Sequence, residues 1–156
     1  MGIMQGVFKD SLKLYANVVI QAIDKRTGQV RRTVRAHNLV TSAGLDELAR
    51  RIALEFPVGP DQIAVGDGTT APTLGDTALE NQLMVDVLGT IQPAMASAIF
   101  QYLLGGDTVD GESLTEAGIL TADDILIARV THDEIIKGGD EAINYTWTFT
   151  LGNASA

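Results

Sequence analysis

Apolar and polar residues alternate most regularly near the end of the chain, over residues 143–151. Bulky apolar residues occupy every second position, and asparagine or threonine occupies the positions between them. Successive side chains of a strand point to opposite faces, so this period of two predicts a strand with one apolar face. Tyr145, Trp147 and Phe149 lie on that face, which indicates that this strand closes the core.

A β-hairpin is predicted near the start of the chain. Residues 15–24 are rich in β-branched side chains, and residues 30–36 alternate weakly between apolar and polar positions. The short segment between them contains Gly28, which can adopt the positive φ that many tight turns require. We therefore expect two antiparallel strands over these two segments.

One main amphipathic helix is predicted over about residues 41–56. Thr41 or Ser42 can cap its first turn, and acidic residues precede basic ones along it, as the helix dipole favours. Prolines and a glycine over residues 57–60 end it. Apolar residues recur at helical spacing and predict a single buried stripe, formed by Leu45, Leu48, Ile52 and Phe56.

The middle of the chain begins with a short apolar strand that runs into a loop over residues 66–73. The loop is dense in glycine, aspartate, threonine and proline, which are typical of turns. We expect its glycines to adopt backbone angles that are closed to other residues. The structural turn residues assigned here are Gly66, Asp67, Gly68 and Pro72.

Four further segments complete the predicted fold. A helical turn is expected over residues 76–83, a strand over residues 95–104, and short apolar segments over residues 114–120 and 125–130. No linker, repeat or low-complexity tract interrupts the chain, so residues 1–156 are interpreted as a single structural domain. The predicted fold class is α+β, with a mostly antiparallel β-sheet or sandwich and one main helix.

Charge is distributed unevenly along the 156 residues, whose 11 basic and 20 acidic side chains give a formal net charge of −9. Residues 1–51 carry nine basic and four acidic side chains, a net charge of +5, whereas residues 52–156 carry two and sixteen, a net charge of −14. The acidic total argues against a general nucleic-acid binder. The asymmetry indicates either that the two ends meet different partners or that charges fell this way on solvated faces.

The search for catalytic and metal-binding residues assigns none, and no cofactor is expected. The chain has no cysteine, which excludes thiol catalysis and thiolate metal sites, so a zinc site would have to combine the two histidines, His37 and His132, with carboxylates. A phosphate-binding loop requires a lysine after its glycines, and no lysine follows the glycines after the strand at 62–66. The acidic segment 106–112 has Val109 where a calcium loop needs oxygen, so an exposed turn is favoured over a calcium site.

Membrane and targeting segments are also not expected. The first residues lack a basic stretch before an apolar run, and the longest apolar runs are far shorter than a bilayer requires. We therefore expect no membrane partner.

Six short segments follow one another along the chain: a helix start at residues 38–45, an I-A-V-G-D-G-T-T-A-P turn at 63–72, the segment 76–83, a T-E-A-G-I segment within 114–120, the segment 126–130, and the closing strand at 145–150. Their order resembles small structural proteins of tailed bacteriophages, especially the tail-fibre or tail-collar type of domain. The resemblance covers residues 38–151 and leaves residues 1–36 as a basic N-terminal hairpin region.

The resemblance implies a non-enzymatic virion protein of the tail, baseplate or fibre-attachment region, made in the bacterial cytoplasm. Because little chain follows the last strand, an adaptor without its own shaft is expected. Its expected partners are other virion proteins and copies of itself, with a trimer favoured. The candidate contacts for an acidic neighbour are Arg31, Arg32 and Arg35.

Two alternative functions stay open at this point. One is a capsid decoration protein that stabilises the head shell. The other is an adhesin-like module that binds a glycan or a calcium ion through the loops at residues 66–73 and 105–112.

Overall fold

The computed structural model describes residues 12–53 and 59–153 of the chain. In this part, two five-stranded antiparallel sheets pack face to face, and one helix accompanies them. The α+β, mostly antiparallel sandwich that the sequence predicts is therefore confirmed. The start of the predicted basic hairpin region, at residues 1–11, lies outside the described residues.

The first sheet has the strand order β2-β1-β10-β7-β6. The predicted hairpin forms its β1–β2 pair, and Gly28 in the connecting turn has the expected positive φ, at 72°. The strands of this sheet are β1 (Leu12–Asp24), β2 (Val30–His37), β6 (Thr90–Ala94), β7 (Ser97–Leu104) and β10 (Glu141–Asn153).

The second sheet has the strand order β3-β9-β8-β4-β5. The two short apolar segments predicted at 114–120 and 125–130 form its adjacent strands β8 and β9. The strands of this sheet are β3 (Leu39–Val40), β4 (Pro60–Gly66), β5 (Gln82–Val87), β8 (Ser113–Thr121) and β9 (Leu126–Ile136).

The main core lies between the sheets, and β10 supplies its largest side chains. Tyr145 and Trp147 are fully buried, and Phe149 packs edge-on against Phe100 of β7. Alternate residues of the long central strand β1 face the same core. The prediction that the apolar face of the last strand closes the core is thus confirmed.

Helix α1 (Ser42–Ile52) begins as predicted, because the Thr41 side chain accepts a hydrogen bond from the Gly44 N–H. The predicted buried stripe is wrong at Leu45 and Ile52, which are 45% and 68% exposed, whereas Leu48 is half-buried. Phe56 lies outside the described residues.

The helix instead turns Gly44 and Glu47 towards the sheets. A side chain at Gly44 would overlap the backbone of Ile127 in β9, so only a glycine allows this close approach. The physical reason for the wrong stripe is that backbone contact, rather than apolar area, fixes which face of the helix is buried.

The helical turn predicted over residues 76–83 is also wrong. These residues form bends and irregular backbone, and β5 begins at Gln82. The Glu80 and Asn81 N–H groups donate to the Glu116 carboxylate rather than to carbonyls one helical turn earlier. Leu79 is buried in a small apolar cluster on the outer side of the second sheet.

Candidate assembly surfaces

Arg31 joins two turns at one end of the first sheet. Its guanidinium lies 2.5 Å from Asp24 and 2.8 Å from Asp140, and it also donates to Glu141 at 3.3 Å. The Thr27 N–H and the Arg31 guanidinium both hold the pKa of Asp24 below its usual value. Of the three arginines predicted as docking contacts, Arg31 is thus engaged within its own chain.

Arg32 and Arg35 are exposed on β2, which is an edge strand of the first sheet. They lie on opposite faces of the strand, because Arg32 is opposite Ala22 and Arg35 is opposite Val19 in the register with β1. Charged side chains on an edge strand discourage uncontrolled strand pairing. They also give this edge a positive charge that an acidic partner can meet.

The 66–81 segment is fastened to the outer face of the second sheet by one buried carboxylate. Glu116 of β8 is fully buried and accepts hydrogen bonds from the N–H groups of Gly68, Glu80 and Asn81 at 3.1, 3.0 and 2.7 Å. A carboxylate with several N–H donors is well compensated for the loss of water. Glu116 therefore holds both ends of this long loop.

Arg129 of β9 completes this polar cluster. Its Nε donates to Glu116 at 2.9 Å, its Nη1 donates to Asp76 at 2.9 Å, and its side chain is 3% exposed. Burial lowers the pKa of Arg129, but its hydrogen bonds to Asp76 and Glu116 raise that pKa further than burial lowers it. The guanidinium stays charged and connects the sheet, Glu116 and the loop.

The turn residues predicted at 66–72 lie in this loop, but the glycines are needed for a different reason than expected. Neither Gly66 nor Gly68 has a positive φ. A side chain at Gly66 would overlap the Asn81 carbonyl, and one at Gly68 would overlap the Glu116 carboxylate. Close approach, rather than an unusual backbone angle, requires glycine at both positions.

Asp67 and Pro72 occupy the rest of the turn. The Asp67 N–H donates to the Asn81 carbonyl, and its carboxylate accepts from the Asn81 side-chain amide. Pro72 is half-buried in the same loop. These contacts are structural ones within the loop.

The two histidines line one polar cavity of about 460 Å³. His37 is exposed, whereas His132 is partly buried, and this burial lowers the pKa of His132. The Nδ1 of His132 lies 2.8 Å from the Asp133 carbonyl oxygen, and its buried Nε2 has no hydrogen-bond partner. The sequence did not indicate that His37 and His132, which are far apart along the chain, share a cavity.

The acidic turn over residues 106–112 is anchored from inside. Val109 is buried, and the Asp110 carboxylate forms an ion pair with the fully buried ammonium group of Lys137. The Gly111 N–H donates to the Lys137 carbonyl at 2.9 Å. Across residues 12–53 and 59–153, no cluster of three or more histidine, aspartate or glutamate side chains could hold a metal ion.

The free edges of the two sheets differ in how they are protected. β2 carries arginines, β3 has two residues, and β6 contains Pro93. β5 contains no lysine, arginine or proline. Because such residues discourage strand pairing, β5 is the least protected edge of the described sheets.

The backbone of β5 offers hydrogen-bonding groups on its open side. The Leu88 N–H donates to the Asp61 carbonyl oxygen. Because the backbone groups of successive residues point alternately to the two sides of a strand, those of Asp86 point towards β4, and those of Val85 and Val87 point to the open side. The Asp86 side chain accepts a hydrogen bond from the Val87 N–H at 2.8 Å. The backbone N–H and C=O of Val85 stay open to a partner strand.

Large exposed apolar side chains lie on β5 itself and on the segment of β6 that follows it along the chain. β6, an edge strand of the other sheet, follows β5 directly along the chain, and the Tyr102 hydroxyl of β7 donates to Asp86 and joins the two sheets. The exposed residues, here named the apolar rim, are Val85, Val87, Ile91 and Met95, which are 44%, 63%, 50% and 97% exposed.

Comparison of the chain with protein-family models, with curated proteins and with solved structures found no match. The tail-fibre or tail-collar resemblance therefore stays a prediction from the sequence. Among the described residues, no helix is long and apolar enough to span a membrane.

Proposed function

We propose that this chain is a non-enzymatic structural protein of a tailed-bacteriophage virion, which acts as a tail, baseplate or fibre-attachment adaptor. The order of its turn motifs supports the virion setting. The apolar rim, which includes Val85 and Val87 on the unprotected edge of β5, is the observation that carries assembly as its mode of action.

Two features of the edges support this mode. An unprotected edge strand can add a strand from another chain, with main-chain hydrogen bonds at Val85 and apolar side chains beside it. The basic edge at Arg32 and Arg35 offers a second surface, which is positively charged rather than apolar. A domain with two such edges can contact a copy of itself, in a trimer or another ring, and a different virion protein.

The test is absolute quantification of this chain in purified phage particles by mass spectrometry with isotope-labelled peptides. An adaptor at the tail axis should be present in few copies, in a fixed ratio to other tail proteins. A copy number close to that of the major capsid protein would favour a head decoration protein instead. Absence from intact particles would overturn the virion proposal.

A further inference from the structure

The open edge of β5 is short, and its free hydrogen-bonding groups centre on one residue. Leu83 has no partner in the register with β4, so the regular part of the edge begins at Met84. At the other end, the Val87 N–H already donates to the Asp86 side chain. Val85 is thus the residue of this strand that offers both a free N–H and a free C=O on the open side.

A residue with both groups free is matched by an identical residue of another copy. In an antiparallel ladder, two residues that face each other as a hydrogen-bonded pair exchange both N–H···O=C bonds. Two copies of Val85 related by a twofold axis satisfy each other in this way. A long foreign strand would need further donors from this edge, and the next outward N–H, that of Val87, is occupied.

The side chains of β5 fit the same twofold arrangement. Val85 lies opposite Ala64 of the outer apolar cluster, and Val87, two residues further on, shares its face of the sheet. These valines are 44% and 63% exposed. With the axis at Val85, each Val87 lies diagonal to Val85 of the other copy, so the exposed valines of both copies form one apolar patch.

The acidic residue of the strand favours the same register. With the axis at Val85, Asp86 lies opposite Met84 of the second copy, and it already accepts a hydrogen bond from the Tyr102 hydroxyl. An axis at Asp86 would bring two identical carboxylates opposite each other, which is destabilising. Asp86 therefore selects the register that places Val85 on the axis.

The other described edges are poorer partners for β5. The edge of β2 would place Arg32 or Arg35 beside the valines, β6 lacks an N–H at Pro93, and β3 has two residues. These differences leave the β5 strand of another copy as the edge that best complements β5.

We propose that β5 pairs with β5 of a second copy of this chain, antiparallel about a twofold axis at Val85. The second sheets of the two copies would then join into one continuous sheet. This inference rests on the proposed function, since it names the partner and the register for assembly through β5. A twofold contact can be combined with a ring that closes through another surface.

Cysteine crosslinking of the full chain tests this register, because the chain has no cysteine of its own. In Val85→Cys, the two Cα atoms would lie about 5.5 Å apart, within the range of a disulfide. Val87→Cys is the matched control on the same strand, because its two copies would lie about 13 Å apart along the strand direction. We expect mild oxidation to give about tenfold or more disulfide dimer in Val85→Cys than in Val87→Cys.

A mixture of the Val85→Cys and Arg32→Cys chains tests whether β5 instead meets the basic edge of the next copy. Predominant crosslinking between these two positions would overturn the twofold proposal. Equal dimer yields in Val85→Cys and Val87→Cys, or no dimer in either, would also overturn it.

Salt gives a second readout, in the unchanged chain. Each copy carries a net charge of −9, so screening should strengthen a contact between two apolar edges and weaken one between a basic and an acidic edge. Sedimentation should show a larger dimer fraction at about 0.5 M than at about 0.05 M salt, and a smaller fraction would overturn the proposal. Both readouts use the purified chain, so their failure would leave the copy number in particles, which tests the virion role, undecided.

Discussion

Arg129 is the residue whose replacement we expect to destabilise the fold most directly. Arg129→Met removes the cation that faces Glu116 and Asp76, and it leaves the Glu116 carboxylate buried without its charged partner. Breaking a buried pair in this way costs about 3–5 kcal/mol of unfolding free energy. Chemical denaturation should show this loss, whereas Arg26→Met, in an exposed turn, should change stability by less than about 0.5 kcal/mol.

Gly44→Ala is a test in which helix propensity and packing predict opposite changes in the free energy of unfolding. In an exposed helix, Gly→Ala stabilises by about 1 kcal/mol. Here the added methyl group would overlap the Ile127 carbonyl, so Gly44→Ala should destabilise by about 1–3 kcal/mol. Gly75→Ala, where a side chain would meet nothing within 4 Å, is the matched control. A stabilised Gly44→Ala protein would contradict the close contact.

His132 should make stability depend on pH below neutrality. Burial lowers its pKa below the ordinary value of 6.5, so the unfolded chain binds this proton more readily than the folded chain. Neutral His132 therefore makes its full contribution to the unfolding free energy above pH 6.5. This contribution is lost as the pH falls from 6.5 towards the lower pKa of His132 in the folded chain. In His132→Gln, the unfolding free energy measured by chemical denaturation should fall less between pH 7 and pH 5 than it does in the unchanged chain, and an equal fall would contradict the prediction.

At the scale of elements, β5 is the strand on which self-association should depend. Val85→Lys places a charge at the centre of the unprotected edge without disturbing the inward-facing core. We expect this variant to shift the chain towards monomer in light scattering coupled to size exclusion, with an unchanged melting temperature. Thr33→Lys on the β2 edge is the control, and an unchanged mass distribution in Val85→Lys would argue against assembly through β5.

The elements with strong local patterns were predictable from the sequence, and those fixed by distant contacts were not. Alternation placed β10 and the β1–β2 hairpin correctly, because both bury one whole face. β5 and β6 were missed, since an edge strand with exposed apolar residues lacks a clear period of two. The error at 76–83 has a single cause, since the acceptor for its N–H groups is Glu116, far along the chain.

The candidate surfaces were predictable only in part, for a related reason. The sequence identified the three arginines of β2, but it did not indicate that Arg31 is engaged with Asp24, Asp140 and Glu141. It also could not indicate that Glu47 faces an apolar groove, because helical spacing assigned the core to an apolar stripe of which Leu45 and Ile52 are exposed. Both facts depend on contacts between elements that are remote in sequence.

For the whole molecule, the separation of charge becomes a prediction about assembly. The net charge of +5 over residues 1–51 is concentrated in part on the exposed edge of β2, and residues 52–156 carry a net charge of −14. A basic edge meets an acidic neighbour with a strength that falls as salt screens the charges. We therefore expect incorporation into particles to weaken with rising ionic strength and to require this edge.

The double variant Arg32→Glu, Arg35→Glu tests the requirement without touching the Arg31 cluster. Because both side chains are exposed, their replacement should leave the unfolding free energy within about 1 kcal/mol of its original value. Reversal of charge should nevertheless reduce incorporation into particles made by complementation, measured by quantitative mass spectrometry. Arg26→Glu changes charge in the nearby turn and should incorporate normally. Normal incorporation of the folded double variant would show that the basic edge is only a solvated face.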